Sequence, residues 1–551
     1  MSPQQHQTWK QFFSTALLAS LVVTAGLAVV RQLGWLESSE LSAYDQFIQI
    51  RSPEKKDDRI LVVGIDESDI QSRQEFPIAD GTLADALEIL DSHNPRAIGV
   101  DIGRDVPQGP PEGREKMIDI LSTSDRIVTA CVLSSLDEPG VAAAPGTDPE
   151  LIGFADLPID ADNVVRRSIL ISAPGEFSLE LGDTHMCNDT APDNEVLSLS
   201  LLLSLIYLES ENIFPNQTDW GDLQLGDTVF TPVFEQTGGY ASTGATDYQI
   251  MLNYRAASDA VHQVTLTDVL DNTVDPALIK DRIVLIGYTS SIAKDIFSTP
   301  YSATTASSRS MPGVTVHAQA TSQILAAVLD NRPLIYSWPE LVEIAWLWLW
   351  ALLGSGVALR NRQLSVFVLL VIALWGIIWG ICFGLFFLGL WLPLIPTLGG
   401  FSLAAIGTRL LDQANQSGYT QAVYEQLKQQ LNRETDADAP NMGYLEALVR
   451  RARAIRQQRT GEEVDEIWNE ATLAEVSSDP INASFDSPEA QAVYDQIKAR
   501  VYADLESERS ELESSQHQQQ SDRQAQRIQA LLQKSKIARN GHVAVEETED
   551  G

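Results

Sequence analysis

The chain has 551 residues, of which 38 are Lys or Arg and 75 are Asp or Glu, so its formal net charge is −37 at pH 7. A chain of this length exceeds one hydrophobic core, so we expect two or more structural units. The acidic balance argues against nucleic acid and anionic lipid surfaces as partners of the body of the chain.

An apolar run near the N-terminus, residues 12–31, is long enough to span a bilayer, and residues 1–11 precede it. We expect an uncleaved anchor rather than a signal peptide, because no convincing small-residue cleavage site follows a shorter apolar core. The next long apolar runs come only after the segment 32–337, which by its length forms one large domain.

Within this domain, short β-branched runs alternate with helical patterns. The first run, Ile60–Asp66, is apolar until it stops at a carboxylate, which is typical of a strand buried on both faces. Strand–helix alternation predicts an α/β domain with a mainly parallel sheet and right-handed crossovers. The predicted strands are Ile60–Asp66, Ala97–Ile102, Ile127–Leu133, Met251–Tyr254 and Ile283–Gly287, and the predicted helices are Leu83–Leu90, Lys116–Leu121, Ser198–Tyr207 and Val314–Leu329.

Two of these strands bring a carboxylate to their ends, Asp66 and Asp101. In α/β proteins, ligands bind in a crevice outside the carboxyl ends of the strands. If the two strands pair, the carboxylates meet there and can bind a divalent cation or an amine, or share a proton. Alternatively, each accepts backbone N–H bonds in the loop after its strand. The sequence favours this structural explanation and leaves the functional one open.

Four further polar residues are candidates for ligand binding. Lys294 and Asp295 follow the strand Ile283–Gly287 and can complete the crevice, or form a structural pair. His317 lies at the start of a predicted helix, where the helix N-terminus lowers the pKa of the ring; packing is its alternative role. Arg255 ends a strand and can clamp a carboxylate or phosphate.

The chain has three cysteines, without a spacing typical of a metal site. Cys131 and Cys187 can form a disulfide if the domain lies outside the membrane, although nothing in the sequence brings them together. We find no Gly-x-Ser-x-Gly elbow, His-Glu-x-x-His motif, P-loop or kinase signature. We therefore predict no catalysis, no cofactor and no metal ion.

Three apolar runs, residues 338–359, 364–388 and 390–411, follow the domain closely. The gaps between them are too short for a soluble domain, so we predict four membrane spans in total. Glu340 and Glu343 fall in the first turn of the second span. There they favour the helix dipole and are expected near the membrane interface.

Basic residues orient these spans. Arg360 and Arg362 lie in the short loop between the second and third spans, and short cytoplasmic loops are enriched in Arg and Lys. Arg31, which follows the first span, disagrees with this orientation. The pattern predicts a multi-pass protein of the plasma (inner) membrane, with residues 32–337 extracytoplasmic and both ends in the cytoplasm.

The last segment, residues 412–551, is polar and rich in Gln, Glu, Ser and Arg. Helical spacing recurs in it, which predicts short or coiled-coil helices joined by disordered linkers in the cytoplasm. Residues 421–428 and 491–498 resemble each other, either by duplication or by chance. An arginine-rich stretch at 450–459 forms a cationic helix face that is either solvated or in contact with anionic lipid or an acidic partner.

A series of short motifs occurs in a fixed order between residues 40 and 411. They are Asp45 with Arg51, Ile60–Asp66, Ala97–Ile102, Asp160–Arg167, Met251–Arg255, Val264–Leu270, Ile283–Gly287, Lys294 with Asp295, Thr299–Ser302 and Met311–Gln319. With one anchor before them and three spans after, this order resembles the CHASE2 family of bacterial transmembrane receptors, whose CHASE2 domain is an extracytoplasmic sensor. The chain departs from the family pattern at Phe76-Pro77-Ile78, where the family has an aromatic-Pro-Trp-like patch, and at Gly103-Arg104, where it has a Phe-type residue.

The resemblance implies a receptor-like sensor that binds an unknown small-molecule or protein signal outside. Because the tail has no recognisable catalytic domain, output requires a separate cytoplasmic protein, and family receptors suggest a homodimer. Two alternatives stay open. One is a non-catalytic membrane organiser whose outer domain binds another envelope protein. The other is an extracytoplasmic enzyme that uses Asp66, Asp101 and His317, which no motif supports.

Overall fold

A computed structural model of the chain describes residues 3–176, 184–191, 193–234, 236–243, 247–302, 310–361 and 363–416. The predictions for Arg362 and for the tail beyond residue 416 lie outside these residues. Those tail predictions are the coiled-coil helices and linkers, the two similar segments and the arginine-rich stretch.

Helices and strands alternate through the described residues. The helices are α1 (Pro3–Gln32), α2 (Glu37–Ile50), α3 (Glu67–Arg73), α4 (Asp80–Ser92), α5 (Pro111–Thr123), α6 (Leu199–Glu209), α7 (Leu266–Leu270), α8 (Gly313–Asp330), α9 (Glu340–Arg360), α10 (Leu364–Phe387) and α11 (Leu394–Gln416). The strands are β1 (Asp57–Ile65), β2 (Ala97–Asp101), β3 (Ile127–Cys131), β4 (Ile152–Phe154), β5 (Arg167–Ser172), β6 (Val196–Leu197), β7 (Pro215–Gln217), β8 (Leu223–Leu225), β9 (Thr228–Phe230), β10 (Tyr248–Met251), β11 (Val261–Thr265), β12 (Ile283–Tyr288), β13 (Ile296–Phe297) and β14 (Met311–Pro312).

Within the described part of the chain, the central sheet has the strand order β11-β1-β12-β2-β3-β4, and every pairing in it is parallel. This confirms the predicted mainly parallel sheet. β1 and β12 are adjacent, with Ile60 opposite Ile283. Successive side chains of a strand point to opposite faces. Accordingly, Ile60 and Val62 join the apolar cluster on one face, and Leu61 and Val63 join the cluster on the other.

Helices cover both faces of this sheet. α4, α5 and α7 pack on one face through side chains such as Leu83, Met117 and Val269. α6 and α8 pack on the other through Leu203 and Val314, together with two antiparallel sheets, β10-β5-β6 and β7-β8-β9. Because both faces are covered, successive strand positions must be apolar, which explains the continuous apolar runs in the sequence.

One predicted strand needs correction, and two strands of the parallel sheet were missed. Of the predicted strand Met251–Tyr254 only Met251 lies in a strand: it ends β10, which pairs antiparallel with β5 and is not part of the parallel sheet. β4 and β11 lie at the two edges of the parallel sheet and were not predicted. An edge strand has fewer buried side chains, and β11 carries His262 and Gln263, so an apolar pattern does not reveal it.

Among the described residues after the domain, three helices are long and apolar enough to cross a membrane: α9, α10 and the part of α11 at Leu394–Gln413. They match the three predicted spans there. The predicted first span, residues 12–31, lies in α1. Its described segment, Ala16–Gln32, is long and apolar enough to cross a membrane only when it is counted together with α2. The axes of these two helices differ in direction by 87°. A fourth span therefore stays a prediction.

Arg31, whose position conflicts with the positive-inside pattern, has a structural role. Its guanidinium forms an ion pair with Glu343 of α9 and also donates to the carbonyl oxygen of Gly238. The side chain of Glu343 is 1% exposed and that of Arg31 11%. Glu343 lies in the first turn of α9, as the sequence predicted, and its side chain is buried against a cation that comes from α1. Its predicted position near the membrane interface stays a prediction.

α2 connects the domain to the spans through packing and hydrogen bonds. The ring of Tyr44 lies 5.3 Å from that of Phe386 and 4.9 Å from that of Trp391, measured between centroids. Glu40 is buried and accepts hydrogen bonds from the backbone N–H groups of Leu394 and Ile395, both at 2.8 Å. Glu40 therefore satisfies donors at the start of α11, which would otherwise have no partner within the helix.

Arg31→Met should destabilise the full-length protein by about 3–5 kcal/mol, because it leaves the Glu343 carboxylate buried without its cation. The double variant Arg31→Met/Glu343→Leu should recover most of this loss, since an apolar pair of similar volume replaces the ions. Unfolding of the detergent-solubilised protein measures both effects.

Lys116→Met is the matched control. Lys116 pairs with Asp85 and Glu88 on an exposed surface, so its removal should cost no more than about 1 kcal/mol. If Arg31→Met were as mild as this control, the ion pair between α1 and α9 would not contribute to the stability of the junction.

Candidate functional site

A cavity of about 400 Å³ opens at the carboxyl ends of β2, β3 and β12. Its position follows from the parallel sheet, because the loops after neighbouring strands diverge at that edge and leave a crevice. Its lining residues combine carboxylates, aromatic rings and small apolar side chains: Phe76, Pro77, Asp101, Ile102, Gly103, Arg104, Gln108, Ala130, Cys131, Val132, Val141, Ala155, Tyr288, Ala293, Asp295, Phe297 and His317.

Asp101 is the last residue of β2 and lies opposite Gly287 of β12. Part of the residue is exposed to the cavity, but its Oδ2 atom is buried without a hydrogen-bond partner. Because burial disfavours the charged carboxylate, the pKa of Asp101 is raised to about 7. The protein therefore leaves the hydrogen-bonding capacity of this carboxyl group incompletely satisfied.

Asp295 follows β12 and lies against the start of α8. Its backbone oxygen accepts a hydrogen bond from the N–H of Gly313 at 3.1 Å. A Cβ atom at position 313 would lie 2.5 Å from Oδ2 of Asp295, so a larger residue there would force this carboxylate to move. Burial, with a further contribution from the charge of Asp101, raises the pKa of Asp295 to about 6.

His317 lies one turn into α8 and is 3% exposed. Its Nε2 lies 3.2 Å from the carbonyl oxygen of Ala155, which can only accept, and its Nδ1 lies 3.2 Å from Oγ of Ser200. The neutral tautomer with hydrogen on Nε2 satisfies both contacts. Burial lowers the pKa of His317, whereas the sequence attributed this shift to the helix N-terminus.

Asp66 does not line the cavity. It caps α3: its carboxylate accepts from the N–H of Asp69 at 2.9 Å, and the carboxylate of Asp69 accepts from the N–H of Asp66 at 3.0 Å. β12 lies between β1 and β2, so the strands of Asp66 and Asp101 are separated by about 9–10 Å. The pairing that would bring the two carboxylates together does not occur.

Lys294 and Arg255 also lie away from the cavity lining. Lys294 ends a short turn in the left-handed conformation, with φ at 59°, and its side chain is exposed. Arg255 lies 3.3 Å from Asp57, the first residue of β1, and 3.7 Å from Glu54. Its guanidinium is thus at the amino edge of the sheet, opposite the cavity, and already has carboxylate partners.

Two protein features restrict the chemistry of the cavity. Among the described residues, no three His, Cys, Asp or Glu side chains come together in a way that could hold a metal ion. Cys131 of the cavity wall forms a disulfide with Cys187, and the Cα atoms of the two are 6.4 Å apart. The sequence left this disulfide open, because the contact depends on a loop far from β3 along the chain.

The model of the CHASE2 domain family matches residues 20–356, more than half of the chain. The chain belongs to the CHASE2 family. The match includes the parallel sheet, the cavity and part of α9. Searches among curated proteins and among solved structures find no match.

Both departures from the CHASE2 family pattern lie at the cavity. Phe76 and Tyr288 form an edge-to-face pair with ring centroids 5.8 Å apart. Arg104 is 1% exposed; its Nη2 donates to the carbonyl oxygen of Ile78 at 2.8 Å, and its Nε lies 3.6 Å from Asp80. Gly103 and Arg104 directly follow β2, whereas Phe76, Pro77 and Ile78 lie in the loop between α3 and α4. Only the first of these stretches therefore has a strand-end signal in the sequence.

Asp101→Asn should stabilise the CHASE2 protein at about pH 8 by on the order of 2 kcal/mol, with the gain vanishing toward about pH 4. The carboxyl has its ordinary pKa in the unfolded chain and a pKa of about 7 in the folded one. Between these two pKa values the folded state binds more protons than the unfolded state, so the stability of the protein falls as pH rises. The full free-energy cost of ionising the buried carboxyl is present above pH 7. Asparagine does not ionise and avoids this cost.

Unfolding of the solubilised protein at both pH values measures this difference. Asp66→Asn is the control, because asparagine also caps helices well and the change should stay within about 0.5 kcal/mol. Lower stability of Asp101→Asn at the higher pH would show that the native carboxylate is ionised and stabilised by a partner.

Proposed function

We propose that the chain is a non-catalytic membrane sensor that binds a small-molecule signal in the cavity at the carboxyl edge of the sheet. Its membership of the CHASE2 family supports a sensory role. The observation that carries the proposal is the cavity itself, with Asp101 and Asp295 in its lining. Oδ2 of Asp101 accepts no hydrogen bond from the described residues.

A packed route leads from the cavity to the spans. Phe297 lines the cavity and also packs against the apolar cluster that contains Tyr254 of the domain. The same cluster contains Phe386 and Trp391 of the membrane region and Tyr44 of α2. A ligand that displaces Phe297 therefore acts on side chains that hold the spans. It shifts the protein only to the extent that it binds one arrangement more tightly than the other.

We place the domain outside the membrane, and the disulfide supports this placement. Disulfides persist in oxidising compartments and are rare in the cytosol. We further propose that a separate cytoplasmic protein receives the signal, since residues 412–551 carry no catalytic motif, and that the receptor works as a homodimer, as the family resemblance implies.

Ala293→Trp tests the cavity, because Ala293 lines it and a tryptophan there would fill much of its volume. We expect the small-molecule fraction of the culture medium to raise the unfolding temperature of the wild-type protein in nanodiscs. The same fraction should change hydrogen exchange at residues 388–392. Ala293→Trp should lose both responses.

Ile292→Trp is the matched control, because Ile292 belongs to the same turn, is 43% exposed and does not line the cavity. It should respond like the wild-type protein. A full response in Ala293→Trp, or no response in the wild-type protein, would contradict the proposed site.

The outside placement predicts that Cys131 and Cys187 are oxidised in cells. In a Cys382→Ala background, a membrane-permeable maleimide should label neither remaining cysteine until a reductant is added, and both afterwards. The label is read as a mass shift of the denatured protein. Labelling of both cysteines without reductant would place the domain in a reducing compartment.

A further inference from the structure

The cavity has two carboxylates, Asp101 and Asp295, that form no ion pair with a described Lys or Arg side chain. Among the described residues, no Lys or Arg side chain lies within ion-pair distance of Asp101 or Asp295. The charge of Asp101 contributes to the raised pKa of Asp295, so the two carboxyl groups interact electrostatically. Two carboxyl groups that share a partly dry space repel each other when both are ionised, and a cation between them relieves this repulsion.

The two basic residues of the lining do not supply that cation. Arg104 donates to the Ile78 carbonyl oxygen at 2.8 Å and lies 3.6 Å from Asp80, so its guanidinium contacts these groups and not the two cavity carboxylates. His317 is neutral, with its Nε2–H directed at a backbone carbonyl oxygen. Above the raised pKa values of the two carboxyls, a cationic ligand would supply the positive charge that complements the cavity.

An organic cation suits this lining better than a metal ion. Ca²⁺ takes six to eight oxygen ligands and Mg²⁺ demands a near-octahedral shell. Among the described residues no group of three potential ligands is available. An alkylammonium group needs fewer acceptors, because each of its N–H bonds can be met by one carboxylate oxygen.

The remaining lining suits the carbon chain of such a ligand. The rings of Phe76 and Tyr288 form one aromatic pair, and Phe297 adds a third ring. Aromatic faces attract alkylammonium groups through cation–π interactions. Val132 and Val141 add aliphatic surface for methylene groups.

We propose that the cavity binds a small aliphatic diamine, with its two ammonium groups held by Asp101 and Asp295 and its methylene groups against the aromatic and aliphatic lining. The inference rests on the proposed sensor function, because it names the chemical class of the signal that the same cavity takes.

Calorimetric titration of the full-length protein in nanodiscs tests this class. The probes are putrescine, butylamine with one ammonium group, the neutral isostere 1,4-butanediol and the dianion succinate. We expect putrescine to bind most tightly, butylamine to bind more weakly, and the diol and succinate not to bind. Tighter binding of the diol or of succinate than of putrescine overturns the proposal.

Matched variants locate the binding. Asp101→Asn and Asp295→Asn should each weaken putrescine binding roughly thirtyfold or more, because each leaves one ammonium group without its carboxylate. Asp66→Asn removes a strand-end carboxylate that caps a helix outside the lining, and it should bind putrescine like the wild-type protein. Equal weakening in all three variants, or in none, overturns the assignment.

The pH dependence of putrescine binding distinguishes a ligand-binding role of Asp101 and Asp295 from a purely structural role, which would not change the affinity with pH. The pKa values of Asp101 and Asp295 are raised to about 7 and about 6, so both carboxyls take up protons as pH falls. Putrescine binding should weaken from about pH 8 to about pH 5, and binding in this range should release protons into the buffer. Affinity that is constant across this range overturns the proposal.

The sensor function and the diamine class of its ligand can be contradicted separately. If the medium fraction still stabilises the wild-type protein but not Ala293→Trp, while putrescine does not bind, then the diamine class is wrong and the sensor cavity stands. If the fraction and putrescine both fail to act on the wild-type protein, then the proposed function is wrong as well.

Discussion

β1 and β12 lie side by side in the middle of a sheet that helices cover on both faces, and all six residues of β12 are buried. Because the strands are parallel, their carboxyl ends meet at one edge. β12 carries the chain directly into the segment that holds Asp295 and then into α8 with His317. The central place of β12 is therefore what brings these residues to Asp101, at the end of the neighbouring strand β2.

The strands at the centre of the sheet could be predicted because burial on both faces leaves a local pattern of consecutive apolar residues, as in Ile60–Asp66 and Ile283–Gly287. Strand order leaves no such local pattern. It alone decides that Asp101 reaches the cavity while Asp66, which ends a similar strand, caps a helix. Asp101, Asp295 and His317 were recognised as polar residues after strands or at helix starts, but their grouping without Lys294 or Arg255 required the fold.

Charged residues at the junction with the membrane were the hardest to interpret from sequence. Arg31 conflicts with the positive-inside pattern when it is counted as a free charge. Its partner Glu343 lies 312 residues further along the chain. Glu40 likewise satisfies the N–H groups of Leu394 and Ile395. These contacts connect α1 and α2 to the later spans, so the domain is held to the membrane region at both of its ends.

The insertion of β12 between β1 and β2 also has a consequence for biosynthesis. Synthesis proceeds from the N-terminus, so β1 and β2 are complete long before residue 283 is made. During that interval β1 and β2 have no neighbour on the sides that β12 will occupy, and unpaired strand edges promote association with other chains. Such non-local pairing also slows folding. Until β12 is synthesised, these two strand edges of the nascent domain are therefore open to association with other chains.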